Sequence, residues 1–388
     1  MEYPMRTGIR IDAPISWRLA AALALVGPAT AQDAGQLSAD KRARIEAAIE
    51  AAMSRWQIPG LSIAVVKGDG VPWKEGFGLA DLENDVPARP GTVYRIASVT
   101  KSLSAVCAMR LAERGELDVD APIQRYVPSF PEKPWPLTAV QLLGHLAGVR
   151  NYRQDDFGGL PDNTLRYGSS TEALGIFAVD PLIHEPGTSY AYTTFGYTLL
   201  GAAMEGASGS SFVDTLRENV LEPAKMHHTR ADSLYDVIPG RARGYTRLGV
   251  GERFAGRPLT GPPRNCDLMD SSYKIPGGGL VSTVEDLAAF VIALQSGVLV
   301  KRETFERMAT RQRTRDGKET PYGLGWYVDG IEGWSGVVWH GGVQKGVTST
   351  LVLRPKDRCA VAILTNLEGG LMLGLENLAC RILDVVLE

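Results

Sequence analysis

Cysteine is scarce in this chain, four in 388 residues, and no two form a C-x-x-C pair. Cys107, Cys266, Cys359 and Cys380 are widely spaced, so a zinc site is not expected. Cys107 and Cys359 fall in apolar segments where small buried thiols are usual, and no disulfide pairing can be read from the spacing. Histidine is nearly as rare, at five, and in His227-His228 the two rings diverge in a helix or a strand, which reads as a solvated pair. No phosphate loop, dinucleotide fingerprint or G-x-S-x-G elbow occurs, so nucleotide chemistry and the α/β-hydrolase fold are not expected. A charge excess of one sign is also missing. Forty-one basic residues stand against 44 acidic ones, net -3, without a long basic run, and nucleic acid is not an expected partner. Internal repeats and low-complexity segments are absent.

Long apolar runs are lacking as well. The stretch Leu19 to Val26, after Arg18, is too short to span a bilayer. It precedes Gly27-Pro28 and the small-x-small triplet Ala29-Thr30-Ala31, the pattern of an export signal over residues 1–31 with cleavage before Gln32. The expectation is an exported protein, periplasmic or secreted, with no membrane span once the signal is gone. The remainder has ordinary globular composition, 44% hydrophobic and 22% charged, ample for a large core.

What is present is a nucleophile motif. Ser98-Val99-Thr100-Lys101 lies where an extended stretch, Thr92 to Ile96, gives way to a helical pattern carried by Leu103, Val106, Met109 and Leu111. Positions three apart share a helix face, so the Lys101 amine can reach the Ser98 hydroxyl and take its proton. The positive end of the helix disfavours an ammonium in its first turn, and an unpaired backbone N–H there, that of Ser98, can face a developing oxyanion. Two further boxes follow in order. Pro186 to Gly201 contains Tyr192-Thr193-Thr194, and Trp339 to Ser349 contains His340-Gly341-Gly342. Paired glycines weaken a strand, and they are explained by close approach of another backbone, such as a substrate pairing along it.

These three boxes resemble those of the class C β-lactamase-like and penicillin-binding-protein-like serine hydrolases, which carry S-x-x-K, Y-S-N and K/H-T-G motifs. Leu142 to Val149 and Gly277 to Leu287 extend the likeness, and Ile123 to Lys133 with Asp270 to Gly279 resemble the mitochondrial serine β-lactamase-like branch. The resemblance runs from about Arg42 to Asn366. It implies a β-lactamase/transpeptidase-like fold, with Ser98 as nucleophile and Lys101 and Tyr192 sharing the acid and base roles, Tyr192 as a phenolate held between cations. It places the Val343 N–H as second oxyanion donor and Thr194, His340, Gly341 and Gly342 along the substrate. Thr194 stands where the family has Asn, and His340 where a K-T-G box has a lysine. The loss of that cation favours esters or peptides over penicillins; Lys345 is read as a solvated loop lysine. His145 is read as organising a loop rather than touching substrate.

The expected architecture is α/β, an antiparallel sheet flanked by helices with an inserted, mostly helical region. Hairpins are expected around Gly68-Asp69-Gly70 and Pro355-Lys356-Asp357, further strands over 323–328 and 337–340, and a C-terminal helix over 371–387. The sheet domain is assigned to residues 42–97 and 275–388 and the helical domain to 98–274, with the site between them. The expected activity is acyl transfer through an acyl-enzyme on a small ester, peptide or β-lactam, without cofactor. The alternatives are a β-lactamase or D-Ala-D-Ala carboxypeptidase, and a non-catalytic penicillin-binding-like scaffold. Oligomeric state is left open.

Overall fold

The structure, a computed structural model, describes residues 35–153, 155–158, 163–249 and 259–388. The expected signal segment, 1–31, lies outside them. Helix α1, Ala39–Trp56, begins at Ser38, whose hydroxyl accepts from the Lys41 N–H. Strands β1, Gly60–Lys67, and β2, Gly70–Asp81, form the first expected hairpin, followed by the short β3, Val86–Pro87. Helix α2, Thr100–Glu113, follows the nucleophile motif, and α3, Thr194–Ser208, follows the tyrosine box. Helix α4 spans Val284–Gln295. The remaining strands are β4, Tyr327–Val328, β5, Val338–Gln344, β6, Val347–Arg354, and β7, Cys359–Thr365, with the last helix, α5, at Leu375–Leu387.

These strands make one seven-stranded sheet in the order β3-β2-β1-β7-β6-β5-β4, antiparallel throughout. The two ends of the chain meet at its centre, where Leu61 pairs with Thr365 and Lys67 with Cys359. Strands β1, β6 and β7 are buried almost without alternation because both faces of the sheet are covered. Leu61, Ile63, Val65, Val352, Val361 and Ile363 pack with Ile45 and Ile49 of α1 and Leu378, Ile382 and Leu383 of α5. The opposite face, with Ala64, Val66, Leu351, Leu353 and Leu364, packs into the larger core shared with α2, α3 and α4. The mixed architecture is therefore the expected one, and Gln36–Glu388 forms one compact unit.

Three local expectations are corrected. The segment 323–328 pairs as a strand only at its last two residues, because Gly325 (φ 87°) turns the chain while Leu324 and Trp326 are buried beside it. The C-terminal helix starts four residues later than expected, after Gly374 (φ 59°). Lys345 is not a solvated loop residue. It is 6% exposed and its ammonium lies 3.1 Å from Asp267. The four cysteines are free thiols, His227 and His228 are exposed, and among the described residues no cluster has metal-binding composition and no helix is long and apolar enough to cross a membrane.

Candidate active site

Ser98 sits in a single 3-10 turn, Ala97–Val99, wedged between the start of α2 and strand β5. The residue before it, Ala97, has φ 45°, a left-handed conformation that costs a non-glycine residue energy and that the surrounding packing must hold in place. The Ser98 hydroxyl is engaged by Lys101 and by Tyr192. Gly342 explains how close the strand comes. A Cβ there would lie 2.4 Å from the Ile96 carbonyl oxygen and 3.0 Å from the Ser98 nitrogen. The close approach foreseen for the glycine pair is thus made by the protein's own turn, at Gly342 alone, whereas a Cβ on Gly341 would meet nothing closer than 3.6 Å.

Lys101 is fully buried in the first turn of α2, where its Nζ lies among three oxygens. Its Nζ lies 3.1 Å from Ser98 Oγ, 3.3 Å from Thr194 Oγ1 and 2.5 Å from the Gly277 carbonyl. Thr194 occupies the family Asn position and still supplies an oxygen to the amine; its own N–H donates to Asn151 Oδ1. Burial, aided by the charge on Lys274, holds the Lys101 pKa well below the ordinary lysine value. Tyr192 is half-buried, with its ring 4.9 Å from the Lys101 ammonium and its hydroxyl hydrogen-bonded to Ser98. Desolvation, reinforced by the neighbouring Tyr327, raises its pKa well above the tyrosine value, and the Ser98 bond opposes this only in part. A phenolate between two cations is therefore not what this environment favours.

His340 is 1% exposed on β5 and has both ring nitrogens engaged. Nδ1 faces the Gly341 carbonyl at 2.7 Å and must carry the proton, so Nε2 accepts from the Tyr322 hydroxyl at 2.9 Å. Burial first, and the Lys101 charge second, push its pKa down to about 3. Val343 is the exposed residue of the strand, and the β4 ladder ends at Trp339, so among the described residues no strand covers the outer edge of β5 from His340 to Gln344. A cavity of about 430 Å³ opens there, lined among others by Ser98, Tyr192, Thr194, His340, Gly341, Gly342 and Val343. All the expected site residues except Lys101 line this cavity, and Lys101 lies directly beneath Ser98.

The β-lactamase family model matches residues 45–379. The chain belongs to the β-lactamase family. It is 33% identical over 307 residues to the mitochondrial serine β-lactamase-like protein LACTB of Homo sapiens, a match covering 62% of this chain and 54% of that protein. The chain thus spans about half the length of these curated relatives. Among solved structures, the octameric penicillin-binding protein homologue from Pyrococcus abyssi is 27% identical with a TM-score of 0.72, over 89% of this chain and 77% of that one. The D-amino acid amidase from Ochrobactrum anthropi has a TM-score of 0.76 at 23% identity, over 90% and 99%, a likeness of fold. The chain is a β-lactamase-fold member of a family of serine hydrolases.

One contributor to this β-lactamase-family site escaped the sequence reading. Asn151 holds the N-terminus of α3 through the Thr194 N–H, and nothing in the spacing of a lone loop asparagine announces it. His145 does organise a loop, and the loop is the one that carries Tyr192. Its carbonyl accepts from the Ala191 N–H at 2.9 Å and its Nδ1 from the Thr193 N–H at 3.2 Å, while its ring centroid lies 4.3 Å from that of Tyr192. The residues on either side of the tyrosine are thereby tied to His145, one through its backbone carbonyl and one through its buried ring.

Proposed function

We propose that this protein is a serine hydrolase that transfers an acyl group through Ser98, acting on esters and small amides or peptides in preference to β-lactams. The observation that carries the proposal is the set of contacts around the Lys101 amine. A neutral amine has two N–H groups and one lone pair. The Gly277 carbonyl and Thr194 Oγ1 accept the two N–H groups, and the lone pair then faces the Ser98 hydroxyl at 3.1 Å. This is the arrangement of a base, and the depressed lysine pKa supports the neutral state it needs.

In the first step Ser98 Oγ bonds to the carbonyl carbon as its proton passes to Lys101, and the oxyanion is met by the Ser98 and Val343 N–H groups. The carbonyl re-forms as the leaving group departs with a proton relayed through the Tyr192 hydroxyl, which stays a phenol in the resting site. Water then repeats the sequence in reverse order and frees the acid. Lys101 and Tyr192 act as one coupled unit. The preference for esters and amides over lactams rests on His340, an uncharged group where K-T-G relatives carry a cation.

Intact-mass spectrometry tests this. A fluorophosphonate is expected to add one equivalent to the wild type and none to Ser98→Ala, and para-nitrophenyl acetate to be turned over with higher kcat/KM than nitrocefin. Labelling of Ser98→Ala as complete as that of the wild type removes the nucleophile assignment; efficient nitrocefin turnover without ester turnover removes the substrate ranking alone.

A further inference from the structure

One face of β5 has a gap in it. Successive positions alternate along a strand, so Trp339, Gly341 and Val343 face one way and His340, Gly342 and Gln344 the other. Trp339 packs against the core that α5 shares with the sheet, which puts its face of β5 on the α5 side. The indole also lies beside Gly341, 3.6 Å from where a Cβ would stand, and no contact within the protein requires a glycine there. Between Trp339 and the exposed Val343, the missing side chain leaves a notch that belongs to the Ser98 cavity.

Glu376, the second residue of α5, lines the same cavity. The positive end of a helix favours a carboxylate at this position, which accounts for an acid there but not for its place in a catalytic cleft. Burial holds Glu376 above the ordinary carboxyl pKa, its own backbone N–H opposes this, and no cation is among the influences on it. Lys345 pairs with Asp267 in a different cavity, of about 460 Å³. Lys274 does line the Ser98 cavity, and its ammonium lies over the rings of Tyr273 and Tyr152, 5.4 and 5.9 Å from their centroids. A desolvated carboxylate without a counter-charge is costly, and an arriving cation relieves that cost.

A leaving group that takes its proton from Tyr192 lies on the tyrosine's side of the scissile carbonyl. From Tyr192 a stack of rings leads to the notch. Tyr327 is stacked on it at 6.2 Å, and Trp339 on Tyr327 at 4.7 Å.

Resting on the acyl-transfer reading of this cleft, we propose that Glu376 is a specificity-determining residue that receives an ammonium carried by the leaving group, with Tyr327 and Trp339 flanking its path. The enzyme then favours esters and amides whose departing alcohol or amine bears a positive charge. Aromatic rings attract a cation, and an ammonium on a carboxylate makes a charge-assisted hydrogen bond, the stronger kind. An ammonium docked there draws the Glu376 pKa back down. The same carboxylate repels the one that penicillins carry, in keeping with the low rank of β-lactams.

The test compares O-acetyltyramine, a phenyl acetate with an aminoethyl arm, with para-propylphenyl acetate, in which a methyl replaces the ammonium. The wild type should show the higher kcat/KM for the ammonium ester. In Glu376→Gln that preference is expected to shrink about tenfold or more, as for loss of a hydrogen bond between charged groups. Glu376→Asp should keep part of it, and Glu376→Lys should reverse it. A parallel arm measures binding of phenethylammonium and of uncharged phenylethanol by calorimetry, where Glu376→Gln should weaken the first and leave the second unchanged. Near-UV circular dichroism establishes that each variant is folded. Equal discrimination between the two acetates by the wild type and folded Glu376→Gln overturns the proposal. If the wild type cleaved neither acetate and took up no fluorophosphonate, the acyl-transfer reading would fail, and the calorimetric arm would decide the role of Glu376: equal phenethylammonium affinity in both proteins would overturn it.

Discussion

Two adjacent glycines offer a controlled perturbation of the nucleophile. In Gly342→Ala the new methyl would sit 2.3 Å from Ser349 Oγ, 2.4 Å from the Ile96 carbonyl oxygen and 3.0 Å from the Ser98 nitrogen. Ordinary carbon–oxygen contacts begin near about 3.3 Å, so close to ~1 Å of relief must be found. Ser349 cannot simply rotate away without loss, because its hydroxyl donates to the same Ile96 carbonyl at 2.8 Å. The strand and the Ser98 turn must therefore separate, at an overpacking cost of about 1–3 kcal/mol and a Tm lower by a few degrees. A displacement of that size between Ser98 and the Val343 edge should slow fluorophosphonate labelling by roughly 100-fold. In Gly341→Ala the methyl meets Trp339 at 3.6 Å and the Ser349 carbonyl oxygen at 3.8 Å, ordinary contacts, so the Tm should hold or rise slightly and labelling should stay near the wild-type rate. The assay is thermal melting together with labelling rate for the two variants side by side. Equal damage in both, or a wild-type labelling rate in Gly342→Ala, would refute the claim that this one close approach positions the nucleophile.

Lys101→Met and Tyr192→Phe should each reduce esterase kcat by about 100-fold or more in folded protein, with the double variant no worse than either single one; multiplicative losses would mean separate roles. His340 titrates near 6.5 unfolded and at about 3 folded, so the unfolded state binds the extra proton between those values. Stability should therefore fall as pH drops from 6.5 to 3, and His340→Gln should shed up to about 1.4 kcal/mol per pH unit of that slope in urea melts across the window. His145 has φ 59° and accepts from the Thr193 N–H, both of which asparagine tolerates, so His145→Asn should keep more labelling than His145→Ala, and equal losses would argue against the clamp on Tyr192. Export, proposed from residues 1–31, is checked by N-terminal sequencing of protein from its native host, which should begin at or near Gln32; a chain starting at Met1 or Met5 would refute cleavage.

The order of the boxes and the hairpins at Gly68-Asp69-Gly70 and Pro355-Lys356-Asp357 were legible in the sequence because they depend on neighbours within a few residues. So was the pairing of Ser98 with Lys101, which needs only one helical turn. Local rules were less reliable for 323–328, read as a strand, where Gly325 at φ 87° turns the chain and only the last two residues pair.

Ionisation states and partners were decided by tertiary structure. Nothing around Tyr192 in the sequence shows that burial will hold it as a phenol, that His340 will be spent on Tyr322, or that Lys345 will face Asp267 in another cavity. These outcomes follow from desolvation and from contacts between segments far apart in the chain, 176 residues in the case of Lys101 and Gly277. The sequence by itself determined which reactive groups the chain carries and in what order. The fold determined which are dry, which are charged and which face the cleft, because the cost of a buried charge depends on everything packed around it and not on its neighbours along the chain.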